Sequence, residues 1–104
     1  MSVDQAGVVD AVGVDRSSGR LVLTVADHLP WDEPEHLGVL ENKLNAYLAF
    51  IESGELLEKY PDAAGRGVTI LVSCKYFPLG AGVEFLRSAE ATIRKAGFEL
   101  QWKV

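Results

Sequence analysis

The chain is short of the residues that most often carry chemistry. Of its 104 residues, one is cysteine, one is methionine and two are histidine. A single thiol, Cys74, cannot close an internal disulfide, so the sequence reads as a protein of a reducing compartment, the cytoplasm. Basic residues are few as well. Ten Lys and Arg against 15 Asp and Glu leave a net charge of −5. The ten are scattered from Arg16 to Lys103, which argues against the clustered basic footprint of a nucleic-acid binder. No apolar run approaches the roughly 20 residues that span a bilayer. The opening "MSVDQAGVVD" has no basic segment followed by an apolar one, so neither a membrane anchor nor a signal peptide is expected. No serine sits in GxSxG. "PLGAG" supplies only the first two glycines of GxGxxG, with Phe85 at the third place, and Lys75 is not positioned as in a P-loop. No cofactor is implied.

What remains is the composition of a folded chain. It is 48% hydrophobic and 24% charged, with a mean hydropathy of +0.10. That suits one α/β domain over residues 1–104 with a single core. Residues 8–14, "VVDAVGV", and 21–26, "LVLTVA", are strand candidates. The "DRSSGR" between them is a hairpin signal: Asp15 can accept from its own turn, and Gly19 can turn left-handed. Parity puts Val8, Asp10, Val12 and Val14 on one face, and Leu21, Leu23 and Val25 on one face of the next strand.

Residues 33–53 show helical periodicity through Leu37, Leu40, Leu44, Leu48 and Ile51, ended by Gly54. A second stripe, Val39, Ala46 and Phe50, widens the apolar surface. "LLEKYPDAAGRG" reads as an irregular connector, broken by Pro61 and its glycines. Residues 68–77 form the clearest strand. Val68, Ile70, Val72 and Cys74 share one face; Thr69, Leu71, Ser73, Lys75 and Phe77 share the other. A second helix over 82–96 and a last strand over 98–103 complete the order β-β-α-β-α-β. The fold class is α+β: a two-layer sandwich with a four-stranded mixed sheet and two helices on one face.

Several stretches resemble a known family. "VDAVGVD", "LVLTVADHLPW", "NAYLAFIESGE", "YPDAAGR" and "AGFEL" are similar to short bacterial proteins catalogued as a domain of unknown function. The resemblance runs from about Val9 to the C-terminus. It implies a bacterial source and an α/β domain, and brings no activity, cofactor or catalytic residue.

The stretch that most looks like chemistry is "VADHLPWDEPEH". It holds both histidines, His28 and His36, with Asp27, Asp32, Glu33, Glu35 and Trp31. A helix entrance explains most of it. Asp32 and Glu35 have capping-box spacing, Pro34 fits a first turn, and Trp31 can staple against His36 or Leu37. Asp27, His28, Asp32 and His36 could also bind a metal, but two histidines eight apart match no helical pair and a firm third ligand is lacking. A third reading makes Asp27, His28, Trp31 and His36 a ligand-binding loop. Cys74, by parity, is core rather than nucleophile. Asp10 and Asp15 read as solvated acids, and Lys43 stands alone.

No catalytic residue and no metal site is assigned. Surplus apolar surface points to association. Leu71 and Phe77 on the open sheet face and Val39 and Phe50 on the helix are the candidate interface residues. The expected function is a non-catalytic protein-interaction module, immunity- or adaptor-like, with a protein partner or a homodimer. The competing reading is a small enzyme or ligand-binding protein using the Asp27/His28/Trp31/His36 region.

Overall fold

The computed structural model of the chain describes residues 9–104. Within them the elements run β1 (Ala11–Val14), β2 (Leu21–Asp27), α1 (His36–Glu52), α2 (Glu55–Lys59), β3 (Val68–Cys74), α3 (Ala81–Lys95) and β4 (Glu99–Lys103). The sheet order is β1-β2-β3-β4. β1 is antiparallel to β2, while β2, β3 and β4 are parallel. This is the α+β, mixed four-stranded architecture that the residue pattern predicts. Two parallel connections, each through a helix, follow from its order. Among the described residues, no helix is long and apolar enough to cross a membrane.

Alternation builds the core. Leu21, Leu23, Val25 and Asp27 are buried in turn along β2, with half-buried residues between. Register extends this face across the sheet: Leu23 lies beside Ile70, and Ile70 beside Leu100. Leu40, Leu44 and Tyr47 of α1 and Leu86 and Ile93 of α3 join the same buried cluster. Each such side chain contributes about 1.5–3 kcal/mol by leaving water.

The hairpin forms as its turn residues dictate. Gly19 takes φ +73°. The Asp15 carboxylate accepts from the Ser17 amide and from both serine hydroxyls at 2.9–3.1 Å. Those bonds, Ser17's first, hold the Asp15 carboxyl below its ordinary range. β1 is shorter than the predicted strand, and its expected start at Val8 lies outside the described residues. The ladder stops at Ala11 because Asp10 intervenes. The Ala26 amide donates to the Asp10 carboxylate at 2.8 Å, and the Asp10 amide donates to the Tyr47 hydroxyl at 2.9 Å.

Helix α1 begins three residues later than its periodicity suggests, and the capping box does not form. The residue before it is Glu35, and no side chain caps it. The reason is local. The Glu33 amide donates to the Pro30 carbonyl, and the His36 amide to the Glu33 carbonyl, at 3.0–3.1 Å. Successive turns thus carry the chain into the helix in place of the box that Asp32 was expected to open. The buried side of α1 is His36, Leu40, Lys43, Leu44 and Tyr47. Leu37, Leu48 and Ile51, from the expected stripe, are only half-buried.

The connector is more regular than its glycines and proline suggest. Gly54 at φ +89° reverses the chain and α2 starts at once. Buried Leu56 and Ala63 pin the segment to the core. Tertiary anchoring thus outweighs the local breakers.

Candidate functional site

The loops that follow β2 and β3 meet at one end of the sheet. Parallel strands deliver residues 28–35 and 75–80 to the same end, where open α/β sheets hold their ligands. Beneath the loops is a buried pair. Asp27 continues the buried parity of β2, and His36 opens the buried side of α1; both are essentially inaccessible. His36 Nε2 lies 2.6 Å from Asp27 Oδ2, and His36 Nδ1 lies 3.0 Å from the Pro30 carbonyl. Each ring nitrogen thus faces an oxygen within hydrogen-bond distance. Asp27 Oδ1 accepts from the Leu29 amide at 3.2 Å. The pair is satisfied on every side, so it offers neither a free base nor a free ligand to a solvent-borne substrate.

Trp31 ties this pair to both loops. Its ring sits 4.2 Å from the His36 ring, tilted by 36°. Its indole N–H donates to the Tyr76 carbonyl at 2.9 Å. Its ring also presses on α3 at Gly82, where a Cβ would come within 2.5 Å of the indole. Gly82 is therefore required for close approach rather than for flexibility. The chain Asp27, His36, Trp31, Tyr76 fixes the two loops to each other and to the sheet.

Of the four residues read as a candidate ligand set, the structure brings together Asp27, Trp31 and His36. It leaves His28 exposed beyond them. His28 does border, with Asp27, Ser73 and Lys75, a shallow hollow of about 250 Å³ at the strand ends. Asp32 is exposed as well. Among the described residues, no group of three or more His, Cys, Asp and Glu is arranged to hold a metal ion. Cys74 lies beside Asp27 in register and is buried. Burial, and then the Asp27 charge, push its thiol up to about 11. A thiol that keeps its proton at neutral pH is a poor nucleophile.

A second buried pair overturns one reading of the sequence. Lys43 does not stand alone, and Asp10 is not a solvated acid. Lys43 Nζ lies 3.0 Å from Asp10 Oδ1, with both side chains almost wholly buried. The Tyr47 hydroxyl donates to the Thr24 carbonyl at 2.7 Å. Burial pushes that hydroxyl up to about 12. The signal was available: Asp10 shares the parity of Val12 and Val14, and Lys43 lies one turn before Tyr47 and beside Leu40 and Leu44 on the buried helix side.

Above the Asp27–His36 pair the surface turns apolar. β3 ends at Cys74, so Phe77 stands on the following loop, not on the open sheet face. Phe77 is 74% exposed, Leu79 73% and Tyr76 44%. Sequence reasoning found Phe77 and missed Tyr76 and Leu79. The "YFPL" run, next to "PLGAG", was the available signal. The other interface candidates differ. Val39 and Phe50 are half-buried and pack against the core, with the Lys59 ammonium 5.7 Å from the Phe50 ring. Leu71 is half-buried on the open face.

A family model described as "Family of unknown function (DUF6572)" matches residues 1–104. The chain belongs to this family. No curated protein and no solved structure matches it. In this DUF6572 chain the candidate site is set by the geometry above. It consists of two buried polar pairs under α1 and an apolar tip held by Trp31.

Proposed function

We propose that this DUF6572 chain is a non-catalytic binding module that grips a protein partner with the tip formed by Tyr76, Phe77 and Leu79 beside Pro30 and Trp31. The observation that carries this reading is the exposure of Phe77 and Leu79, 74% and 73%, on adjacent parts of one short loop. Two large apolar side chains standing together in water cost free energy unless something covers them. The loop beneath them is fixed rather than slack, because Trp31 joins it to His36. A fixed apolar anchor loses little entropy on binding. The single buried thiol suits work in the cytoplasm.

Asp32 lies beside the apolar tip, and Glu33 and Glu35 follow it in the same loop, all three exposed. Two copies meeting tip to tip would oppose these acids, so a different partner fits better than a second copy. The test is comparative capture. Immobilised wild-type chain and the double variant Phe77→Ser/Leu79→Ser are exposed to the same extract, and bound proteins are quantified. One or more proteins retained by the wild type and lost by an equally stable variant are expected. Identical capture by both would sink the reading.

A further inference from the structure

Between the two loops lies a hollow of about 430 Å³, walled by Pro30, Trp31, Tyr76, Phe77 and Leu79. Among the described residues, Asp32 is the one charged residue lining it. Its surroundings share that sign. Loops 28–35 and 75–80 and the first turn of α3 carry Asp32, Glu33, Glu35 and Glu84 against Lys75. Lys75 sits to one side, its Nζ 5.6 Å from the Tyr76 ring centroid.

An apolar hollow with an acid on its wall selects a ligand that offers both kinds of group. We infer that the hollow receives an apolar side chain from a peptide segment of the partner, and that a lysine or arginine next to that side chain pairs with Asp32. Acidic neighbours Glu33 and Glu35 extend the attraction to further cations along the segment. The same charges exclude acidic peptides. This inference rests on the reading of the tip as the binding surface, and adds the chemistry of what is bound.

The test uses isotope-labelled full-length chain and two tetrapeptides, acetyl-Lys-Leu-Lys-Leu-amide and acetyl-Glu-Leu-Glu-Leu-amide. The readout is the NMR shift of the Trp31 indole N–H and of the amides of Asp32 and residues 76–80. The lysine peptide is expected to move these resonances and to bind about two- to fivefold more tightly than the glutamate peptide, the range of an exposed ion pair. Asp32→Asn should reduce that preference, and 0.5 M salt should nearly abolish it. Phe77→Ser/Leu79→Ser should lose both peptides.

Equal binding of the two peptides overturns the charge preference while leaving the binding surface standing. No tip shift from either, with capture still dependent on Phe77 and Leu79, overturns the peptide ligand alone. No shift together with unchanged capture ends both readings. Tip shifts that grow with protein concentration in the absence of peptide would assign the hollow to a second copy and overturn the inference.

Discussion

The two buried polar pairs of α1 use similar chemistry for different ends. Lys43 and Asp10 join the helix to the start of β1, and their surroundings are sheet and core. His36 and Asp27, two helical turns earlier, join the helix to the end of β2. Around the first pair each polar atom serves the fold: Asp10 takes a β2 amide, and Tyr47 gives its proton to a β2 carbonyl. Around the second, the bonds lead outward through Trp31 to a surface loop. One pair closes an edge of the sheet; the other holds up an exposed apolar loop. Burial of charge alone therefore does not mark a functional site. What distinguishes the second pair is where its contacts lead.

If the first pair is purely structural, breaking it should cost the most. Asp10→Ala leaves the Lys43 ammonium buried without its carboxylate and should destabilise the chain by about 3–5 kcal/mol. Denaturant titration measures this, and Asp10→Leu with Lys43→Met should regain much of the loss. Asp27→Asn should cost less, about 1.5–3 kcal/mol, the usual range for a hydrogen bond to a charged group. Here the distinguishing readout is the Trp31 indole resonance, which should shift or broaden. After Asp10→Ala that resonance should stay in place under conditions where the chain remains folded.

Alkali tests the first pair from another side. Tyr47 in the folded chain keeps its proton up to about 12, against 10.0 ordinarily. Between those values the folded state holds more protons than the unfolded one. Stability must then fall as pH rises through that window, and the Tyr47 contribution is complete below it. The loss is on the order of 2 kcal/mol. Melting curves from pH 9 to 12 should show the decline in wild type, and Tyr47→Phe should lack this component of it.

Gly82→Ala sharpens the comparison with a smaller effect. The added methyl pushes on the Trp31 ring while the helix gains from losing a glycine, so the net cost should be about 1 kcal/mol or less. The position of Trp31 should change nonetheless, and with it capture by the tip. Smallest of all, Phe77→Ser/Leu79→Ser should alter stability by no more than about 0.5 kcal/mol, since both side chains lie in solvent. Binding should be lost. A large stability loss from that variant would mean that the tip supports the fold, and the contrast between the pairs would disappear.

The fold was legible because its alternation and turns are local. Leu21, Leu23 and Val25 state one face of β2, and "DRSSGR" states its hairpin. Those signals rest on backbone geometry that a few neighbours determine. The family resemblance, too, was visible in "LVLTVADHLPW" and "YPDAAGR". The candidate site was legible only in part. Asp27, Trp31 and His36 were singled out together with His28, but as a loop or metal set open to a ligand, not as a buried pair of Asp27 with His36. The capping box had the right spacing, yet turns at Pro30 and Glu33 lead into the helix and Glu35, not Asp32, stands before it. Asp10 and Lys43 are 33 residues apart in sequence, and no local pattern couples residues at that range. A charged residue on an apolar parity was the one hint, and it holds equally for Asp10 and for Asp27. Reading it requires knowing which face is covered, and that is a property of the assembled layers.

The carboxylate of Asp10, which takes the Ala26 amide in place of a backbone partner, has one more effect. Among the described residues, β1 is the outer strand on its side of the sheet, and outer strands carry unpaired backbone groups that can recruit another chain. Turning an acid inward at the fourth residue before Val14 ends regular pairing early and leaves a rim of only Ala11–Val14. A valine at position 10 would remove that stop and offer a longer, wholly apolar rim. The same side chain that anchors a buried lysine thus protects the folded chain against strand-to-strand aggregation.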